Sequence, residues 1–187
     1  MNTKSLAILG CTGHVGKNLL YYFGKEERFE LVLFSRDKQK IKKIISENNF
    51  KNNFTLNNYE EFNESKFDAI VNCIGISDPA KIESEENIIM KLTEDFDRLI
   101  LDYLKNNPDV KLINFSSGAV YGEEINSPIN DTTPFSLNTH SQYAIAKIQS
   151  EIRHRNLAEF NIIDLRLFSF FSRFMDLNTR FLISEII

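Results

Sequence analysis

The chain has 187 residues, 42% of them hydrophobic and 16 of them Phe, which suffices for one domain with a sizeable core and excludes a disordered chain. A net charge of −4 argues against nucleic acid as a partner. Two cysteines cannot frame a secreted disulfide fold, the N-terminus does not read as a signal peptide, and no apolar run approaches the roughly 20 residues of a membrane helix, so a cytoplasmic, soluble protein is expected.

Short runs rich in Ile, Leu and Val alternate with longer segments of helical period. In chain order, strands are expected at 6–9, 31–34, 54–56, 69–74, 112–115 and 162–168, continuous enough to be parallel strands covered on both faces. Helices are expected at 15–23, 37–47, 87–104 and 141–158. The first gathers Val15, Leu19, Leu20 and Phe23 on one face. The second has Asp37 placed to cap it, and the basic run at 38–43 reads as its solvated face. The third carries Ile88, Leu92, Phe96, Leu99, Ile100 and Tyr103, with Asn106-Asn107-Pro108 to end it. Glu83, Glu85 and Glu86 ahead of it read as a solvated helix start. The fourth shows a stripe of Ile145, Ile148 and Ile152, which with the third helix offers a homodimer contact; packing on the chain's own core is the alternative. Residues 118–138 read as a loop over the sheet edge. This rhythm of strand and helix gives an α/β fold with a doubly wound parallel sheet, the Rossmann fold.

Gly10-x-x-Gly13-x-x-Gly16 follows the first strand and opens the first helix. The first glycine permits a sharp turn, the second lets backbone approach a phosphate, and the third packs helix on strand. The helix N-terminus then offers N–H groups to the pyrophosphate of a dinucleotide; a plain tight turn is the alternative. At the end of the second strand stand Ser35 and Arg36, where a fold that takes NAD usually places an acid. A guanidinium with a neighbouring hydroxyl suits a 2′-phosphate, so NADP is expected, with NAD as the alternative.

Tyr143 and Lys147 stand four apart on one helix face, so a phenol and an ammonium can meet one substrate. A nearby cation lowers a phenol's pKa and makes it a usable proton donor or acceptor. Upstream, 114–122 reads NFSSGAVYG off the end of a strand, and Ser117 is placed to hydrogen-bond a carbonyl oxygen. His14, His140 and His154 are scattered without ligand spacing, so no metal site is expected.

The order of glycine turn, a strand ending Asn72-Cys73-Ile74-Gly75, then SSGAVYG, then Tyr-x-x-x-Lys resembles an extended short-chain dehydrogenase/reductase, in its nucleotide-sugar epimerase, dehydratase and ketoreductase branch. The resemblance implies catalytic roles for Ser117, Tyr143 and Lys147, and a cofactor lined by Gly10, Thr12, Gly13, His14, Val15, Gly16, Arg36, Cys73 and Gly75, with Lys147 on its ribose. It implies reduction or epimerisation of a nucleotide-linked 4-keto sugar. Dehydration is disfavoured, because Gly118-Ala119 follows Ser117 where a dehydratase carries Asp-Glu. Asn57-Asn58 replaces the family's Gly-Asp, and 165–172 matches the family's last strand only in part. Residues 1–170 are expected to form the cofactor domain, and 171–187 to begin a truncated or minimal substrate lobe. A non-catalytic NADP-binding sensor of the same fold is the alternative, which the intact Ser–Tyr–Lys set opposes.

Overall fold

Six parallel strands form one sheet in the order β3-β2-β1-β4-β5-β6. They are β1 (Lys4–Leu9), β2 (Phe29–Phe34), β3 (Phe54–Asn57), β4 (Ala69–Asn72), β5 (Lys111–Ser117) and β6 (Ile162–Leu167). Among the described residues, four α-helices connect them: α1 (His14–Phe23), α2 (Lys38–Ser46), α3 (Glu86–Asn106) and α4 (Gln142–Arg155). This computed structural model describes residues 3–48, 50, 52–76, 82, 84, 86–122, 128–130, 132–136, 139–179 and 186. The expected acidic cluster at Glu83, Glu85 and Glu86 and parts of the 118–138 loop lie outside the described residues or side chains.

The sheet is doubly wound, as its apolar strands require. On one face Ala7, Leu9, Val32, Phe34, Ile70 and Leu112 pack under α3 through Ile100, Leu101 and Leu104. On the other, Leu6, Ile8, Leu31, Leu33 and Val71 meet Leu20 of α1 with Ile41 and Ile44 of α2. α4 lies beside α3. Asp37 caps α2, its carboxylate accepting from Lys40 N at 3.0 Å. α4 stops at Arg155, before the expected 158, because the Asn156 N–H closes back on Ile152 O. Its isoleucine stripe is split: Ile148 is buried in the chain's own core, whereas Ile152 stays exposed.

Two 3-10 turns were not expected. Tyr59–Glu64 drives Phe62 into the core beneath α3. Gly118–Tyr121 continues β5 over the strand ends, and Val120 O accepts Ser136 N at 2.8 Å, which ties the following loop back. Among the described residues, no helix is long and apolar enough to cross a membrane.

Candidate active site

The sheet order reverses between β1 and β4, which opens a crevice beyond their C-terminal ends. Gly10 turns the chain out of β1 at φ +73°, and a Cβ there would stand 3.0 Å from the Cys73 carbonyl. Only glycine meets both demands. Gly16 presses α1 onto this turn: its Cβ would overlap Gly10 O and lie 2.7 Å from Cys11 Cα. Gly13 caps α1 without a side-chain hydrogen bond, and no acidic residue occupies the first turn, so the positive end of the helix is left for an anion.

A cavity of about 540 Å³ lies over the strand ends. It brings together Gly13, His14, Val15, Cys73, Gly75, Ser117, Tyr143 and Lys147 from the expected set. Gly10, Thr12 and Gly16 are outside its lining; Gly10 and Gly16 shape the turn beneath it. Ser35 and Arg36 sit apart, at the end of β2. The Ser35 hydroxyl is buried and accepts Asp37 N at 3.0 Å, whereas Arg36 is exposed. Burial disfavours the thiolate of both cysteines, pushing Cys11 up to about 12 and raising Cys73 as well.

Ser117 ends β5, and its Oγ accepts Ala119 N at 3.2 Å. The same hydroxyl is near enough to the Tyr143 phenol to act on its pKa. Burial raises the Tyr143 pKa and the neighbouring Ser117 hydroxyl lowers it, with burial prevailing. The Lys147 ammonium is fully enclosed and donates to Phe115 O at 2.8 Å, 6.0 Å from the Tyr143 ring centre. Burial lowers its pKa, while Asp97, Asp164, Cys73 and Glu151 raise it. The sequence reading made Lys147 the group that lowers the Tyr143 pKa; here burial of the phenol outweighs its neighbours.

A polar layer beneath the cavity escaped sequence reasoning. Glu151 accepts from Ser116 Oγ at 2.5 Å and from Arg166 Nη2 at 2.6 Å, and Arg166 also donates to the Tyr121 hydroxyl. The spacing of Tyr143, Lys147 and Glu151, each four residues on, was the available signal. The segment after β6 folds back on α1: His14 Nε2 lies 2.7 Å from Ser172 Oγ, and the Phe170 ring centre is 4.9 Å from the imidazole. Burial and then Lys17 hold the His14 pKa below its usual value.

The NAD dependent epimerase/dehydratase family matches residues 6–187 of the chain. No curated protein matches it by sequence. Among solved structures it is similar to the UDP-N-acetylglucosamine 4-epimerase of Methanobrevibacter ruminantium M1 in complex with UDP-N-acetylmuramic acid. That pair has a TM-score of 0.79 and 21% identity, over 97% of this chain and 60% of the other. A thiolation-reductase di-domain of an archaeal non-ribosomal peptide synthetase gives 0.76 and 14% identity, over 92% and 43%. The UDP-glucose 4-epimerase of Bifidobacterium longum, in complex with NAD+ and UDP, gives 0.73 and 15%, over 87% and 52%. The chain thus spans 43–60% of the length of these three, and the likeness at such identities is one of fold.

Proposed function

The chain belongs to the NAD dependent epimerase/dehydratase family, and from that premise we propose that it binds an NAD(P) dinucleotide over the glycine turn and reduces or epimerises a nucleotide-linked 4-keto sugar. The observation that carries the reading is the meeting of Ser117, Tyr143 and Lys147 in one cavity with the first turn of α1.

The residues fit the cofactor. Among the described residues, a Cβ at Gly75 would meet only Lys147 Nζ, at 3.6 Å, so the missing side chain leaves cavity space beside the ammonium. Gly13 and the first N–H groups of α1 would hold the pyrophosphate, with His14 and Val15 beside it, and Lys147 the ribose. When bound, the dinucleotide supplies or accepts the hydride. Arg36 supports a preference for NADP over NAD through its charge; the Ser35 hydroxyl is already committed to Asp37.

Ser117 would donate to the substrate carbonyl oxygen as charge develops there. Tyr143 would give or take the proton at that same oxygen, and the Lys147 ammonium would stabilise the phenolate form. Gly118-Ala119 leaves no carboxylate beside Ser117 for dehydration. We read residues 1–170 as the cofactor unit and 171–187 as the start of the substrate side, because Met175 joins the cavity wall. A second copy would meet α3 and α4, where Ile88 and Ile152 are exposed.

The test compares the parent with Tyr143→Phe, using reduced dinucleotide and a UDP-linked 4-keto sugar. Turnover should fall roughly 10²–10⁴-fold while dinucleotide affinity stays within about twofold. Undiminished turnover overturns the role of Tyr143. Dinucleotide binding by a parent that turns over no keto sugar replaces the enzyme with a binding protein.

A further inference from the structure

The inward face of α4 continues past the cavity. Tyr143, Lys147, Ser150, Glu151 and His154 follow at helical spacing, so one stripe carries both the proposed catalytic pair and a buried polar cluster. The His154 side chain is 2% exposed. Its Nδ1 stands 2.9 Å from Asp164 Oδ1 on β6, and its Nε2 3.6 Å from Asp97 Oδ1 on α3. Asp97, 3% exposed, also accepts Ser150 Oγ at 3.0 Å and Arg153 Nη2 at 2.6 Å. From Asp164 a ladder crosses the sheet in register. Asn114 Nδ2 donates to Asp164 at 2.7 Å, Asn72 Nδ2 to Asn114 at 3.0 Å, and Ile74 N to Asn72 Oδ1 at 3.1 Å. Ile74 lines the cavity.

An imidazole enclosed between two carboxylates favours its charged form. A neutral ring donating to Asp164 would aim the Nε2 lone pair at Asp97. Burial opposes the charge, but the hydrogen bond to Asp164 and the charges of Asp164 and Asp97 outweigh it and raise His154 to about 9. The other charged or titratable groups around it are Arg153 on Asp97, the Glu151–Arg166 pair, and Lys147 with Cys73 at the cavity. Asp97 and Asp164 are also the foremost carboxylates sustaining the Lys147 ammonium against burial.

We propose that His154 is a positioning residue for Lys147: its imidazolium ties β6 and α3 to α4 below the cavity, and cancels part of the carboxylate charge that holds the ammonium. The proposal rests on the reading of Lys147 as a working group of the site. His154 lies seven residues on, about 10 Å along the helix, which corresponds to a mutual shift of about 0.5–1 pH unit. By linkage the two groups feel the same coupling.

The chain has three histidines, so carbon-detected NMR titration of their rings assigns His154 directly. In the parent its midpoint should lie near 9, and in Lys147→Met it should rise by about 0.5–1 pH unit as a neighbouring cation is removed. If Lys147→Met does not fold, the reciprocal reading serves. In His154→Gln the alkaline limb of reduced-dinucleotide binding should move upward by the same amount, and His154→Lys should move it back. A parent midpoint at or below an ordinary histidine's, or a midpoint indifferent to Lys147→Met, leaves His154 as packing only and overturns the proposal. An absence of turnover would sink the proposed reaction without touching this titration, so the two failures are separable.

Discussion

On the proposed reading, the choice between the two dinucleotides falls to Arg36. At the end of β2 the Ser35 hydroxyl is bound to Asp37 N, the Asp37 carboxylate caps α2, and Lys38 pairs with Glu61 at 3.3 Å. The exposed guanidinium is the group proposed to meet a 2′-phosphate. A charge-assisted hydrogen bond contributes about 1.5–3 kcal/mol, so Arg36→Ala should weaken NADPH binding roughly 10–150-fold and leave NADH unchanged. Fluorescence titration decides it, and equal affinity of the parent for both dinucleotides would remove the NADP preference. The placement of single residues was legible in the sequence where local spacing fixes it. Tyr143 and Lys147 share a helix face by their four-residue offset, and Ser117 follows from its place at a strand end. Asp97, His154 and Asp164 were not, because each is an ordinary polar residue until the fold joins segments such as Asp97 and Ser150, 53 positions apart.

At the scale of elements, the glycine turn and α1 act as one part. A Cβ at Gly16 would overlap Gly10 O, and the neighbouring atoms are backbone, so α1 must move off the turn. Overpacking of this kind costs about 1–3 kcal/mol. At Gly13, which lines the cavity, a Cβ would meet Gly10 O at 3.3 Å and, among the described residues, nothing else within 4 Å. Gly16→Ala should lower the denaturation midpoint and dinucleotide affinity together. Gly13→Ala should keep most stability while losing affinity. Equal stability losses in the two would show that close packing is not what Gly16 provides. The six strands were legible as short apolar runs, and the four α-helices among the described residues from the period of their apolar residues. The turn Tyr59–Glu64 was not, although Asn58 and Glu61 form a capping box whose Asn-x-x-Glu spacing stands in the sequence. Its short length left no periodicity to see.

The whole molecule answers to pH through its buried charges, and this follows from layering that a linear pattern does not display. The alternation of strands and helices implied helices on both faces, yet not that α4 would seal polar side chains against the sheet while Ile163 and Leu165 stay exposed on the opposite face of the edge strand β6. In the sealed layer His154 is raised from 6.5 to about 9. A group whose folded pKa is raised contributes stability that is complete below its unfolded pKa and is lost as pH climbs through the folded one. At 1.36 kcal/mol per pH unit this is on the order of 3 kcal/mol, falling away between about pH 6.5 and 9. At the acid end, burial would raise the Asp97 carboxyl, but His154 and Arg153 together bring it below its usual value. Its contribution is therefore present above its unfolded pKa and lost as pH falls through the depressed one. Lys147, lowered by burial, acts in the opposite sense to His154, favouring the fold as pH rises past its folded pKa. The informative quantity is thus the difference between the parent and His154→Gln, in which the Lys147 contribution largely cancels. Urea denaturation at a series of pH values should show that difference to be largest near pH 6 and to shrink steadily toward pH 10, with the parent the more stable. A difference that does not change across this range would mean that His154 is neutral in the fold and stabilises it by packing alone.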